Sequence, residues 1–129
     1  MPLKKLLLVD DDENFNFLSK RIIRKQFPDC EVHVVLNGQE ALDYLQTAAG
    51  MPEVILLDLN MPVINGYEFL IEYEALNLIP NRPPVFILSS SILQEDHNLP
   101  EKHKDVKGFF EKPLALHHLQ QIALFAEEA

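Results

Sequence analysis

The chain has 129 residues, 47% of them hydrophobic and 24% charged, so it can bury one core as an ordinary globular domain without disulfides or a structural metal. Its formal net charge of -9 opposes binding to nucleic acid or to an anionic membrane surface, because both depend on clustered Lys and Arg. Cys30 is the only cysteine, which excludes an internal disulfide and fits a reducing cytoplasm.

The N-terminal part of the chain places a strand-like pattern before a helix-like one. Residues 6–9 form a continuous apolar run that stops at three aspartates, which is typical of a strand buried on both faces. The run is too short for a signal peptide or a membrane span. The stretch from Glu13 to Gln26 predicts an amphipathic helix, and its apolar residues at helical spacing are Phe15, Leu18, Ile22 and Ile23.

A second strand and helix follow. Residues 32–35 predict the strand, and Asn37 with Glu40 three residues later predicts a capping box at the start of the helix. Gly50 supplies a stop for this helix. Its buried stripe is predicted to be Ala41, Leu42, Leu45 and Ala49.

The third strand repeats the pattern of the first. Residues 54–57 are apolar throughout, and the run again stops at an aspartate, Asp58. Asn65 and Gly66, with Glu68 close behind, predict the start of a third helix.

The C-terminal part predicts two more strands and a final helix. Residues 85–88 read as a fourth strand leading into Ser89, and the polar stretch 92–105 predicts a short or irregular helix. A fifth strand is predicted from Lys107 to Glu111, after which Pro113 opens the last helix. The residues of that helix predicted to face inward are Leu116, Leu119, Ile122, Ala123 and Ala126.

Five strands alternating with helices predict an α/β doubly wound fold with a parallel sheet and right-handed crossovers. In such folds a ligand binds beyond the carboxyl ends of the strands, where the strand order reverses. No repeat or interdomain linker is apparent, so we expect residues 1–129 to form one domain without an output domain. The residues that the ligand rule selects are Asp10, Asp11, Asp58, Ser89 and Lys112.

The acidic residues of this set need a compensating cation. Carboxylates that converge at the ends of two strands repel one another strongly. Mg²⁺ suits them best, because it takes a few carboxylates, keeps several waters and accepts phosphate oxygens as its remaining ligands. An alternative is that Asp10, Asp11 and Asp12 cap the first helix, and for Asp12 we prefer that interpretation.

Asp58 is placed to act as a nucleophile toward phosphorus, which would give an aspartyl phosphate. Charge gathers on the three equatorial oxygens of the transferring group, so the site needs a metal, a second cation and a neutral donor. The metal, Lys112 and Ser89 would supply these. Taken alone, Lys112 would more often be a surface lysine and Ser89 a turn serine. Both, however, follow predicted strands at the same edge of the sheet.

These residues stand in motifs that resemble the receiver domains of two-component response regulators, in particular single-domain, chemotaxis-regulator-like ones. The likeness extends over essentially the whole chain, and it implies a flavodoxin-like fold with strand order 2-1-3-4-5. The motifs that carry it are Val9-Asp10-Asp11, Leu57-Asp58-Leu59-Asn60-Met61-Pro62 with Gly66, the hydroxyl of Ser89, and Gly108-Phe109-Phe110-Glu111-Lys112-Pro113.

The resemblance implies a role for each matching residue. Asp58 resembles the phosphoacceptor, Asp11 the direct metal ligand and Asp10 the acidic neighbour that holds metal-bound water. The backbone carbonyl of Asn60 resembles the third protein ligand of Mg²⁺. Lys112 resembles the phosphate-pairing lysine, followed by a peptide bond that the family usually holds cis.

Two switch positions depart from the family's commonest residues. Ser89 matches the switch hydroxyl, where Thr is common, and so lacks one methyl group. Phe109 matches the switch aromatic, where Tyr is frequent, and so offers no phenol to a hydrogen bond.

The implied function is phosphorelay signal transduction. A histidine kinase or a phosphotransfer domain would donate the phosphoryl group, docking near Phe15 and Leu114, and a downstream protein would read the switch. We expect a cytoplasmic phosphoprotein that binds neither nucleic acid nor membrane and is a monomer or a phosphorylation-dependent homodimer. It would catalyse only its own phosphoryl transfer and dephosphorylation.

Two other functions compete with this one. Haloacid-dehalogenase-like phosphatases also use a strand-end aspartate with Mg²⁺, but they need a second aspartate two residues later, where this chain has Asn60. A phosphorylation-independent adaptor would not need the costly charge cluster. A histidine metal site is not expected, because the adjacent His117 and His118 should point about 100° apart on a helix.

Overall fold

Strands and helices alternate along the computed structural model, which describes residues 3–47, 51–61, 65–76, 82–90 and 98–128. The strands are β1 Lys5–Val9, β2 Glu31–Val35, β3 Val54–Leu57, β4 Val85–Ser89 and β5 Val106–Glu111. The helices are α1 Glu13–Gln26, α2 Gly38–Thr47, α3 Gly66–Ala75, α4 Leu99–Lys102 and α5 Leu116–Glu128. No helix among the described residues is both long enough and apolar enough to cross a membrane.

The five strands form one sheet in the order β2-β1-β3-β4-β5, and every neighbouring pair is parallel. This confirms the predicted fold class and strand order. The order reverses at β1, which lies between β2 and β3. The carboxyl ends of β1 and β3 are therefore adjacent, because Val9 and Leu57 are register partners.

Two apolar clusters cover the two faces of the sheet, which explains why the central strands β1, β3 and β4 are almost entirely apolar rather than alternating. Along β1, Leu7 and Val9 belong to one cluster, whereas Leu6 and Leu8 belong to the other. The Leu7 cluster includes residues of α2 and α3, and the Leu6 cluster includes residues of α1 and α5.

The predicted starts of the first three helices are confirmed. The Asp12 side chain accepts a hydrogen bond from the backbone N–H of Phe15 at 3.0 Å and so caps α1. Asn65 and Glu68 form a full capping box at α3. At α2 the Asn37 side chain accepts from the backbone N–H of Glu40 at 2.9 Å.

The buried stripe of α1 differs from the prediction. Leu18 was expected to face inward and is 62% exposed. The fully covered residues of this helix are Asn16, Ser19 and Ile23, which follow the spacing i, i+3, i+7. Two of these three residues are polar. A prediction based on the positions of apolar residues alone therefore missed them and wrongly included Leu18 in the buried face.

The last helix begins later than predicted. The Lys112-Pro113 peptide is cis, as the resemblance implied, and α5 starts at Leu116 rather than at Pro113. The short helix α4 agrees with the expected irregular segment. The predictions that lie outside the described residues or side chains concern Ala49, Gly50, Pro62, residues 92–97 and Ala126.

Candidate functional site

The adjacent ends of β1 and β3 bring three carboxylates together. The backbone N–H of Asp58 donates to the carbonyl of Val9 at 3.0 Å, which continues the pairing of the two strands by one residue. Oxygens of Asp10, Asp11 and Asp58 all lie within 4.8 Å of one another. Asp10 and Asp58 are 1% and 5% exposed, whereas Asp11 is open to solvent. Three convergent carboxylate oxygens are a donor set for a hard divalent cation.

Lys112 enters this cluster from the end of β5. Its Nζ lies 2.6 Å from Oδ2 of Asp10 and 3.5 Å from Oδ2 of Asp58. The backbone N–H of Lys112 donates to the carbonyl of Ser89 at 2.9 Å, which fixes the loop after β5 against the end of β4. The ammonium also lies 4.2 Å from the ring centre of Phe15, within the range of a cation–π contact.

Burial dominates the electrostatics of Asp10. It raises the pKa of the Asp10 carboxyl above its ordinary value, and the charge of Asp58 raises it further. Hydrogen bonds from Lys112 and from the backbone N–H of Asp12 act in the opposite direction. Because the net shift is upward, the ionised Asp10 is less stable in the folded protein than in water, and additional positive charge is favoured at the site.

Local backbone bonds orient the two buried carboxylates. Oδ1 of Asp10 accepts from the N–H of Asp12 at 2.9 Å, and Oδ1 of Asp58 accepts from the N–H of Asn60 at 3.2 Å. In both cases the other oxygen, Oδ2, is the one that approaches Lys112. The two turns therefore hold the carboxylates in matching orientations.

Gly66 is required by the close approach of α3 to the loop after β3. A Cβ at this position would lie 2.7 Å from both the carbonyl oxygen of Asp58 and the Cα of Leu59. Both atoms belong to the backbone, so neither can swing away. The absent side chain lets α3 begin directly against the segment that carries Asp58.

Ser89 and Phe109 lie on the neighbouring strands β4 and β5. Ser89 is fully buried at the end of β4, and its Oγ is 3.5 Å from Nδ2 of Asn60. Phe109 is the register partner of Ile87, two residues before Ser89. Phe109 is partly buried against the Leu7 cluster, to which Ile87 also belongs. By strand alternation Ser89 points to that same face.

A groove borders the site on the side of α1 and the cis peptide. Its volume is about 720 Å³, and it runs from Phe15 along the helix. Apolar groups from both elements line it, together with cationic side chains of α1. The lining residues are Phe15, Leu18, Ser19, Arg21, Ile22, Arg24, Lys25, Pro113 and Leu114.

Among the described residues the only cluster suited to a metal is Asp10, Asp11 and Asp58, which contains no histidine. His117 and His118 are adjacent in α5, and their ring centres are 4.2 Å apart with the ring planes tilted by 54°. His118 Nδ1 accepts from the backbone N–H of Ala115 at 3.0 Å.

Two contributors to the site were not predicted from the sequence. The contact of Phe15 with the Lys112 ammonium joins the first turn of α1 to the residue after β5, and these two segments meet only in the folded chain. Asn16 is buried and donates from Nδ2 to the carbonyl oxygen of Asp10 at 2.8 Å. The sequence does carry one sign of this role, because Asn16 stands three and seven residues before Ser19 and Ile23 and so shares their face of the helix.

The chain belongs to the response regulator receiver domain family, whose model matches residues 6–124. It is therefore a receiver domain and a component of phosphorelay signalling. Of the families weighed from the sequence, this match favours the receiver over the haloacid-dehalogenase-like phosphatase.

A curated relative from Treponema denticola, a protein-glutamate methylesterase/protein-glutamine glutaminase, is 39% identical over 87 residues. The match includes 67% of this chain but only 22% of the relative, so the chain spans about a fifth of that protein's length. The enzymatic activity in that name is a property of the relative from Treponema denticola.

Two solved structures are similar over nearly the full chain. A two component response regulator from Cytophaga hutchinsonii is 31% identical, with a TM-score of 0.89 and 100% of both chains covered. A phosphorylated cyanobacterial phytochrome response regulator, RcpA, is 33% identical, with a TM-score of 0.76 and coverage of 98% of this chain and 92% of that one.

Proposed function

We propose that this receiver domain takes a phosphoryl group on Asp58, with Mg²⁺, from a phosphohistidine of a histidine kinase or a phosphotransfer domain. A switch at Ser89 and Phe109 then signals to a protein partner. The observation that carries this proposal is the convergence of Asp10, Asp11 and Asp58 at one edge of the sheet, with the Lys112 ammonium against Asp10 and Asp58.

The donor set fits Mg²⁺. Asp11 and Asp58 would hold the ion through carboxylate oxygens, Asn60 through its backbone carbonyl, and Asp10 through water. The raised pKa of the Asp10 carboxyl supports this assignment, because a buried acid in a cluster favours a nearby cation. When bound, the ion neutralises charge that develops on a phosphoryl oxygen.

The residues of the chain position the transferring group. An oxygen of the Asp58 carboxylate forms the new P–O bond as the P–N bond to the donor imidazole breaks, and the imidazole leaves with the bonding electron pair and takes up a proton. Lys112, already held within 3.5 Å of Oδ2 of Asp58, would pair with a second phosphoryl oxygen. The hydroxyl of Ser89 would donate to the third.

The donor would dock in the groove beside α1. Phe15 and Leu114 lie at its end nearest the carboxylates, since Phe15 contacts Lys112 and Leu114 follows the cis peptide. A donor helix with an apolar stripe and acidic flanks suits this groove, because its cationic rim stands out in a chain of net charge -9. The rim residues are Arg21, Arg24 and Lys25.

The conformational change that signals to the partner would begin at the buried hydroxyl of Ser89. Phosphorylation adds roughly one further negative charge and new acceptor oxygens at Asp58. A shift of Ser89 toward them vacates space on the face that Phe109 partly covers, and rotation of Phe109 inward biases the surface around α4, β5 and α5. A downstream protein or a second copy of the chain would read that surface in the cytoplasm.

Intact-mass measurement after incubation with a small phosphodonor tests the proposal. With Mg²⁺ present, the wild-type chain should gain one phosphoryl group, and chelation of the metal should prevent the gain. The Asp58→Asn variant keeps the shape of the site without the nucleophile and should remain unmodified. A wild-type protein that folds, binds Mg²⁺ and still gains no phosphoryl group would instead favour the phosphorylation-independent adaptor.

A further inference from the structure

Asn16 occupies a position in α1 that an apolar residue would normally fill. The residue is 4% exposed, and its Nδ2 donates to the backbone carbonyl of Asp10 at 2.8 Å. Among the described residues, its Oδ1 is the one buried side-chain polar atom without a hydrogen-bond partner. Burying an amide oxygen without a donor lowers the free energy of unfolding. Stability alone therefore does not account for an asparagine here.

The bond from Asn16 acts at the point where β1 leaves the sheet. The backbone N–H of Asp10 still donates to the carbonyl of Val35 at 3.1 Å, but the carbonyl of Asp10 is turned to Asn16. That carbonyl belongs to the planar peptide that joins Asp10 to Asp11. Fixing it sets the direction in which the chain continues, and hence the position of the Asp11 carboxylate.

The start of α1 does not need this side chain. Asp12 already caps the helix by accepting from the N–H of Phe15 at 3.0 Å. The backbone N–H of Asn16 makes an ordinary helical bond to the carbonyl of Asp12 at 2.9 Å. The side-chain amide of Asn16 is thus available for a task other than capping, and the Asp10 carbonyl is the partner it contacts.

We infer that Asn16 is a positioning residue for the metal site: by holding the carbonyl of Asp10 it aligns the Asp10 and Asp11 carboxylates for a divalent cation. In this role Asn16 would act through the backbone of Asp10 and would contact neither the ion nor the phosphoryl group. The inference rests on the proposed function, because it assigns Asn16 to the same Mg²⁺ site. Groups that orient metal ligands from behind affect metal affinity by about tenfold or more.

Titration calorimetry with Mg²⁺ and thermal unfolding by circular dichroism test this role on the full chain. Asn16→Leu removes both the donor to the Asp10 carbonyl and the unpartnered acceptor, and it keeps the same number of side-chain heavy atoms. The loss of the acceptor favours folding and the loss of the donor opposes it, so the melting temperature should stay close to that of the wild type while Mg²⁺ affinity weakens about tenfold. Asn16→Ala should weaken affinity similarly but lower the melting temperature. Asn14→Ala, at an exposed asparagine two residues earlier, should leave both unchanged.

A loss of Mg²⁺ affinity in an Asn16→Leu that melts near the wild-type temperature is the signature that a purely structural asparagine would not produce. A folded Asn16→Leu with an Mg²⁺ dissociation constant within about twofold of wild type overturns the inference. Equal weakening in Asn14→Ala also overturns it. If the leucine variant does not fold, the titration of Asn16→Ala decides by the same criterion. A wild-type chain that binds no Mg²⁺ contradicts the proposed function as well, so the two failures are distinguishable.

Discussion

Lys112 is paired most closely with Asp10, whose Oδ2 lies 2.6 Å from its Nζ, and more loosely with Asp58 at 3.5 Å. The lysine therefore compensates the most buried acid of the cluster. Its approach to Asp58 is close enough for a direct charge interaction, so a phosphoryl group on Asp58 would meet an ammonium that is already in place.

Replacing Asp10 with Asn should stabilise the metal-free protein and weaken Mg²⁺ binding. The upward shift of the Asp10 pKa, caused first by burial, means that the charged carboxylate opposes folding. An amide of the same shape removes that charge. Urea unfolding in the presence of a chelator should show a higher free energy of unfolding, whereas the Mg²⁺ dissociation constant should rise about tenfold. A less stable Asp10→Asn would mean that its pair with Lys112 outweighs the cost of burial.

Replacing Gly66 with Ala should cost about 3 kcal/mol of unfolding free energy, because the new Cβ would meet backbone atoms of Asp58 and Leu59 at 2.7 Å. Gly108→Ala is the matched control. Its Cβ would approach the Phe86 ring at 3.3 Å, and a side chain can move aside. Urea denaturation of both variants checks the comparison. Equal losses in the two would show that α3 is free to withdraw from the loop after β3.

Replacing Leu18 with Glu should slow phosphoryl transfer from the partner kinase by about tenfold, because a charge in the apolar groove opposes docking. Leu124→Glu is a close control, since Leu124 is 61% exposed and Leu18 is 62% exposed. Both variants should accept phosphoryl from a small donor at the wild-type rate. Unchanged kinase transfer in Leu18→Glu would place the donor on another face.

His118 should make the fold less stable in acid. Burial lowers the pKa of the His118 ring below its ordinary value, and the neighbouring His117 lowers it further. The unfolded chain therefore binds the proton more readily than the folded chain. The contribution of neutral His118 to the free energy of unfolding is complete above pH 6.5 and is lost as the pH falls through the folded pKa. Protonation of Nδ1 would also break its bond from the N–H of Ala115.

Urea unfolding between pH 7.5 and pH 5 measures this loss as the difference between wild type and His118→Gln. The Gln variant should lose less stability over that interval, because it retains a side-chain acceptor but no ring to protonate. Parallel pH profiles for the two proteins would show that protonation of His118 does not cause the loss of stability in acid.

Amide exchange should report the switch. Binding of beryllofluoride, which mimics the phosphoryl group, should change exchange in the described residues 98–112 and not only at the immediate contacts of Asp58. Ser89→Ala should bind beryllofluoride yet reduce the change around Phe109, because the hydroxyl that would shift is absent. An identical exchange pattern in wild type and Ser89→Ala would contradict the relay from Ser89 to Phe109.

The sheet and its acidic edge were predictable because both depend on local patterns. Strands β1 and β3 each end in an unbroken apolar run, and Asp10 and Asp58 follow these two runs directly, so the parallel pairing of the strands brings them together. Gly66 and the cis peptide after Lys112 were expected from the resemblance, and the structure adds the backbone contact that requires the glycine.

The contributions of Asn16 and Phe15 escaped prediction for a physical reason. Asn16 is buried because its amide donates to the backbone carbonyl of Asp10. A prediction based on the spacing of apolar residues does not detect a buried polar residue of this kind. Phe15 contacts Lys112 across 97 positions of sequence, and such a contact exists only after the start of α1 and the segment following β5 have met. The same misreading of polarity assigned Leu18 to the core.

The central claim is that Asp58 carries the phosphoryl group, and borohydride trapping tests it most directly. The protein would be phosphorylated by a small donor in Mg²⁺, reduced with borohydride, which converts an aspartyl phosphate to homoserine, and digested for peptide mass spectrometry. We predict homoserine at position 58, dependent on both donor and Mg²⁺, with Asp10 and Asp11 unaltered. Phosphorylated protein with aspartate intact at position 58, or homoserine at position 10 or 11 instead, would contradict the account.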